Sequence, residues 1–172
     1  MKRMTLQYYE GSVADKLRLA HQIYDTHGAA LQQLPRVRSL LKLLPDLARQ
    51  LAKRMREMGM DHLCSRCGGQ DQGGCCSLEM ANNCDALQLT MNLLLHSEVE
   101  VQRNDGVECS FLGTRGCSLL LKPMFCLNYN CTHIHRHNSV ADMVLLERCS
   151  GSLLQAQTSL EGIITDYLRD KT

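Results

Sequence analysis

Tryptophan is absent from this 172-residue chain, phenylalanine occurs twice and tyrosine five times. An aromatic-rich sheet core is therefore disfavoured, and the interior falls to Leu, Met, Val, Ile and Ala, which suits packed helices. No charge sign dominates: 19 Lys and Arg face 18 Asp and Glu, a formal net charge of +1. That balance removes the overall electrostatic case for nucleic acid or an anionic membrane. No apolar run approaches the ~18 residues that span a bilayer, so no membrane partner is expected. Residues 1–10 open basic but place no apolar stretch of ~7 residues behind that charge, so no secretory signal is read there and a cytoplasmic location is expected.

Cysteine is missing from the first 63 residues, yet ten follow, from Cys64 to Cys149. The chain thus divides into N-terminal helices (1–63), a cysteine-rich region (64–137) and a C-terminal helix (138–172) that packs back on the first helices as one globular unit. Val13, Leu17, Ala20 and Tyr24 recur at helical spacing, as do Leu40, Leu44, Leu47, Leu51, Met55 and Met58. Pro45 predicts a kink or split in the second run, and Gly59 a stop. Residues 86–96 read as a helix starting near Asp85. Val99 and Val101 lead to Asn104-Asp105-Gly106, a hairpin signal before Val107 that would carry Cys109 toward the other thiols. Residues 139–169 place Val140, Val144, Leu154, Leu160, Ile164 and Leu168 along a final helical stripe, with Gly151 as its weakest point. The expected fold is mainly α, with an irregular cysteine-rich metal-binding lobe and one short β-hairpin.

Thiols are kept reduced in the cytosol, so cysteine density there points to metal or redox chemistry before disulfides. Cys64-x-x-Cys67 is a spacing by which two thiolates grip one metal from a tight turn. Gly68, Gly69, Gly73 and Gly74 let backbone N–H groups turn toward negatively charged sulfurs. Cys75 and Cys76 follow. A thioredoxin-like redox pair would need a βαβ context that this stretch lacks. A second block holds Cys109, Cys117, Cys126 and Cys131. His133, His135 and His137 would share one side of an extended strand, where one could become a ligand; the alternative is a polar turn before a helix capped by Asn138 or Ser139. Cys84 and Cys149 read as small buried apolar groups.

The pattern C-x-x-C, C-C, a long spacer, C-x-F-L, then a C before a short apolar stretch and basic-Pro-x-x-C-x-x-x-x-C resembles the CxxCxxCC family. These YkgJ-type cysteine-cluster proteins are described as zinc- or iron-chelating. The match covers roughly residues 64 to 131. It departs in the seven residues before Cys75-Cys76, in Ser110 where proline is common and in Lys122 where arginine is common. The resemblance implies Cys64, Cys67, Cys75, Cys76, Cys109, Cys117, Cys126 and Cys131 as metal ligands. It does not extend to the flanking helices.

Soft thiolates exclude magnesium and calcium but do not separate iron from zinc. Adjacent Cys75 and Cys76 point with difficulty at one ion, so two metals, or one ligand and one packing thiol, are the alternatives. Eight thiolates would make two zinc sites of four cysteines each, or a [4Fe–4S] cluster with a second centre. The function expected is a metal-binding protein holding an iron–sulfur or iron/zinc centre, in electron transfer or iron-related assembly with a protein partner. The alternatives are an iron-dependent redox or group-transfer enzyme and a zinc-stabilised interaction module. For the enzyme no nucleotide loop or Ser/His/Asp arrangement is found. For the module, the basic residues Arg36, Arg38, Lys42, Arg49, Lys53, Arg54 and Arg56 offer a contact, though the aromatic interleaving of base-stacking surfaces is absent and a solvated helix face is the better account of them.

Overall fold

The protein's structure, a computed structural model, describes residues 7–68, 75–114 and 116–171, with only the backbone of 65–68. Helix α1 (Val13–Gln33) starts where Ser12 accepts the Asp15 N–H and the Asp15 carboxylate accepts the Ser12 N–H, a reciprocal capping box. It ends at Leu34, extended as a residue before proline tends to be, and Pro35 opens α2 (Pro35–Glu57) at a position that needs no donor. The expected split at Pro45 does not occur, and α2 runs through it. Leu44, Ala48 and Leu51 flank the proline and are buried, so packing outweighs the lost helical bond. Gly59, at φ +64°, ends the run as expected.

Helix α3 (Met60–Gly68) then carries the chain into the cysteine-rich region. Two short elements follow: α4 (Leu78–Asn82), capped by Ser77, and α5 (Ala86–Leu94), capped by Asp85, whose side chain accepts the Gln88 N–H at 2.8 Å. All nine residues of α5 are buried, which makes it the central rod of the molecule. Helix α1 packs on α5, and α2 packs on the long C-terminal α8 (Val140–Arg169). Helix α8 starts at a second capping box, Ser139 with Asp142.

The expected hairpin exists at another place. Strands β1 (Leu112–Gly113) and β2 (Gly116–Cys117) pair antiparallel, Leu112 opposite Cys117. At the Asp-Gly site, Asp105 Oδ1 accepts the N–H groups of Val107 and Glu108, each at 2.9 Å, and Gly106 sits at φ +76°. The turn forms, but Val101 and Val107 are exposed, so the flanks have no buried face to make them a ladder. Register also shifts at the start of α8: Val140 and Val144 face solvent, and the buried stripe runs through Met143, Leu146, Leu153, Leu160, Ile164 and Leu168. Gly151 interrupts nothing.

Two apolar clusters result. The larger joins Tyr8, Val37, Leu44, Leu121, Ile134 and Leu160, from all three stretches of chain. The smaller, of Ala20, Cys84, Leu89, Leu93, Val99, Phe111 and Leu119, lies under Cys109 and Cys117. Six of the seven basic residues of α2 are exposed, while Arg54 turns inward to Asp142 and Glu57.

Candidate metal centre

The two cysteine blocks meet through main-chain bonds. The Cys109 N–H donates to the Cys76 carbonyl at 2.8 Å, the Leu78 N–H to the Val107 carbonyl at 2.9 Å, and Ser77 bridges Glu108. These lay the end of the first block along the start of the second. The Leu112 N–H returns to the Cys109 carbonyl at 2.9 Å, and the hairpin sets Cys117 opposite Leu112. Cys109 and Cys117 therefore stand together over the smaller core. Helix α6 (Met124–Asn128) brings Cys126 to the same place, where Cys117, Cys109 and Cys75 all act on its thiol. Five expected ligands, Cys75, Cys76, Cys109, Cys117 and Cys126, thus occupy one neighbourhood.

Electrostatics there follow from crowding like groups that each become anionic. Cys75 is the acidic member, lowered to about 6 chiefly because the Cys76 thiol donates a hydrogen bond to it. Donating that proton and losing water push Cys76 up, with Cys75, Cys109 and Cys117 adding repulsion. Burial raises Cys109, and Cys117 adds to it. Cys126 keeps exposed surface, yet desolvation of its thiol and then repulsion from Cys117 and Cys109 raise it to about 12. Such a set of sulfurs resists ionising together until a cation compensates the charge.

The remaining expected ligands lie elsewhere. Cys64 is exposed on α3, and Cys131 is the half-buried N-cap residue of α7 (Thr132–His137), packed on the larger core. Helices α3 and α7 touch. The side chain of Cys67 and the glycine-rich stretch 69–74 lie outside the described residues, and so does the basic opening at 1–6. His133, His135 and His137 are not on a strand: they belong to α7, where His137 Nδ1 lies 2.8 Å from the His133 carbonyl. Helical geometry spreads alternate residues around the axis instead of lining them up. The other reading holds in part: Ser139 caps the helix that follows, but the three histidines form a short helix of their own instead of a turn.

Cys84, read from sequence as a buried apolar group, is 2% exposed. It also lies close enough to Cys117, Cys126 and Cys109 for their charges to raise its thiol, after burial and Asp85. Its place just before the cap of an all-buried helix marks burial, but nothing in the sequence marks that proximity. Cys149 is half-buried against the larger core.

Among the described residues, no group of three or more His, Cys, Asp or Glu side chains is arranged to hold a metal ion. What converges is the donor chemistry, a set of soft sulfurs, and it fits iron, zinc or an iron–sulfur cluster. No helix among the described residues is long and apolar enough to cross a membrane. No family model, curated protein or solved structure matches the chain, so the resemblance to the CxxCxxCC family rests on cysteine spacing.

Proposed function

We propose that this chain holds an iron–sulfur or iron/zinc centre through its cysteines and serves electron transfer or iron-related assembly with a protein partner. The observation that carries the reading is the convergence of Cys75 and Cys76 with Cys109, Cys117 and Cys126, drawn from blocks that α4 and α5 separate along the chain. Raised thiols at close quarters oppose folding unless they stay protonated or meet a cation, and a metal removes that conflict by taking thiolates as ligands. Cys64, Cys67 and Cys131 are proposed to contribute from the α3–α7 side. Met124, Phe125 and Tyr129 are all exposed on or beside the helix that carries Cys126, and this apolar rim is where a partner is proposed to dock.

Anaerobic purification followed by elemental analysis, acid-labile sulfide and a visible spectrum on one sample tests the reading. Iron with matching sulfide and a band near ~400 nm is the expected result for the cluster form. Zinc in a colourless sample assigns a redox-silent site on the same ligands. Neither metal, in protein made under both iron and zinc supplementation, refutes the proposal.

A further inference from the structure

Helix α5 is buried throughout, yet three of its residues are polar: Gln88, Thr90 and Asn92. Buried polar groups must find partners, and where they find them tells what they hold. Thr90 is satisfied within the helix, donating to the Ala86 carbonyl at 2.8 Å. Gln88 and Asn92, one turn apart on one face, reach out of it to a single peptide. Asn92 Oδ1 accepts the Leu121 N–H at 2.9 Å, and Asn92 Nδ2 donates to the Leu121 carbonyl at 2.9 Å. Gln88 Nε2 donates to that same carbonyl at 2.9 Å. From the other side, Gln157 of α8 donates Nε2 to the Lys122 carbonyl at 3.0 Å.

Asn92 pairs with Leu121 as a second peptide would, giving the chain a strand partner one residue long. The segment needs one, because it runs between β2 and α6 without regular structure of its own. It is also the link between Cys117 and Cys126. The Leu121 side chain is fully buried in the larger core, so both its backbone and its side chain are fixed. Among the described residues, Gln157 Oε1 is buried without a partner. An amide kept at that cost marks the single bond its nitrogen makes as the reason for its place.

We propose that Gln88, Asn92 and Gln157 are positioning residues for the thiol centre: they clamp residues 121–122 and so set Cys117 and Cys126 in place before any metal arrives. The second cysteine block is then a preformed half of the site. This rests on the metal-binding reading for its purpose, but the clamp is testable without metal.

Hydrogen exchange on the reduced, metal-free full chain measures it directly. The Leu121 amide should exchange at least about a hundredfold more slowly than a free peptide, in step with α5. Exchange near the free-peptide rate while α5 stays protected would overturn the proposal. One variant adds a chemical readout. Gln157→Met gives up one bond while removing a buried acceptor that is unpaired among the described residues, so its fold should be retained. In metal-free Gln157→Met, labelling of Cys117 and Cys126 by a thiol reagent should rise at least about threefold, with Cys149 unchanged as internal control. Unchanged labelling in a folded variant would sink the positioning role. A protected Leu121 amide in a chain that takes up neither iron nor zinc would refute the metal reading and leave the clamp standing.

Discussion

Tyr9, Asp85 and Glu161 meet where the N-terminal segment crosses α5 and α8. The Tyr9 hydroxyl donates to Glu161 Oε1 at 3.1 Å, and burial with both nearby carboxylates raises Tyr9 to about 12. Burial raises Glu161 above 4.5, and Asp85 adds to it; burial raises Asp85 above 3.8 against the pull of the Gln88 and Leu87 N–H groups and of Lys16. Lys16 is 4% exposed and donates to the Asn82 carbonyl at 2.7 Å. A carboxyl raised on folding binds its proton more tightly in the native state. Stability therefore falls as pH rises through the window from the unfolded to the folded pKa, and the penalty is full above it. Glu161→Gln keeps an acceptor for Tyr9 and removes the repulsion with Asp85. Because Glu161 is half-exposed and screened, the gain should be small: a Tm about 1–3 °C higher at pH 7, vanishing near pH 4. Thermal melts by circular dichroism across that range check it, and a lower Tm at pH 7 would mean that the charged acceptor matters more to Tyr9 than the repulsion.

At the scale of elements, α8 depends on its first turn. Ser139 Oγ accepts the Asp142 N–H at 3.1 Å, while the Asp142 carboxylate accepts from Ser139 and pairs with Arg54 of α2. Ser139→Ala should cost about 1 kcal/mol, read as a lower urea midpoint at unchanged slope. Such starts were legible beforehand, because Asp85 and Ser139 precede apolar periodic runs and their side chains carry the cap. Pro45 misled because a local preference yielded to Leu44, Ala48 and Leu51 packing around it. Asp105-Gly106 misled because a turn makes a hairpin only when its flanks have a face to bury, and Val101 and Val107 do not. The stripe through Val140 and Val144 is one phase off, since a 30-residue helix admits several stripes and packing against α2, α5 and α6 decides which is covered. The thiol blocks themselves were legible from spacing. Which sulfurs meet was not, because contacts such as the Cys109 N–H on the Cys76 carbonyl, or Cys84 beside Cys117, arise from packing between distant segments.

For the whole molecule, the question is how far metal and fold depend on each other. The larger core draws on every part of the chain and has α2, α5 and α8 at its centre, so the helical body should survive metal removal. Leu160→Ala, at a fully buried position, is expected to cost about 2–5 kcal/mol whether or not metal is bound. The thiol lobe couples to metal through protons instead. Cys126, raised to about 12, and Cys76 and Cys109, also raised, are protonated at neutral pH, whereas Cys75 at about 6 is largely ionised. Every raised thiol that becomes a ligand must release its proton, so affinity climbs with pH and falls in acid, the slope of log K against pH counting the protons lost. Zinc titrations of the reduced chain by calorimetry, in two buffers of different ionisation enthalpy at pH 7, should show roughly two or more protons released per metal. Release of less than about one would mean that thiols protonated at neutral pH, raised or ordinary, do not supply the ligands, and would overturn the thiolate centre.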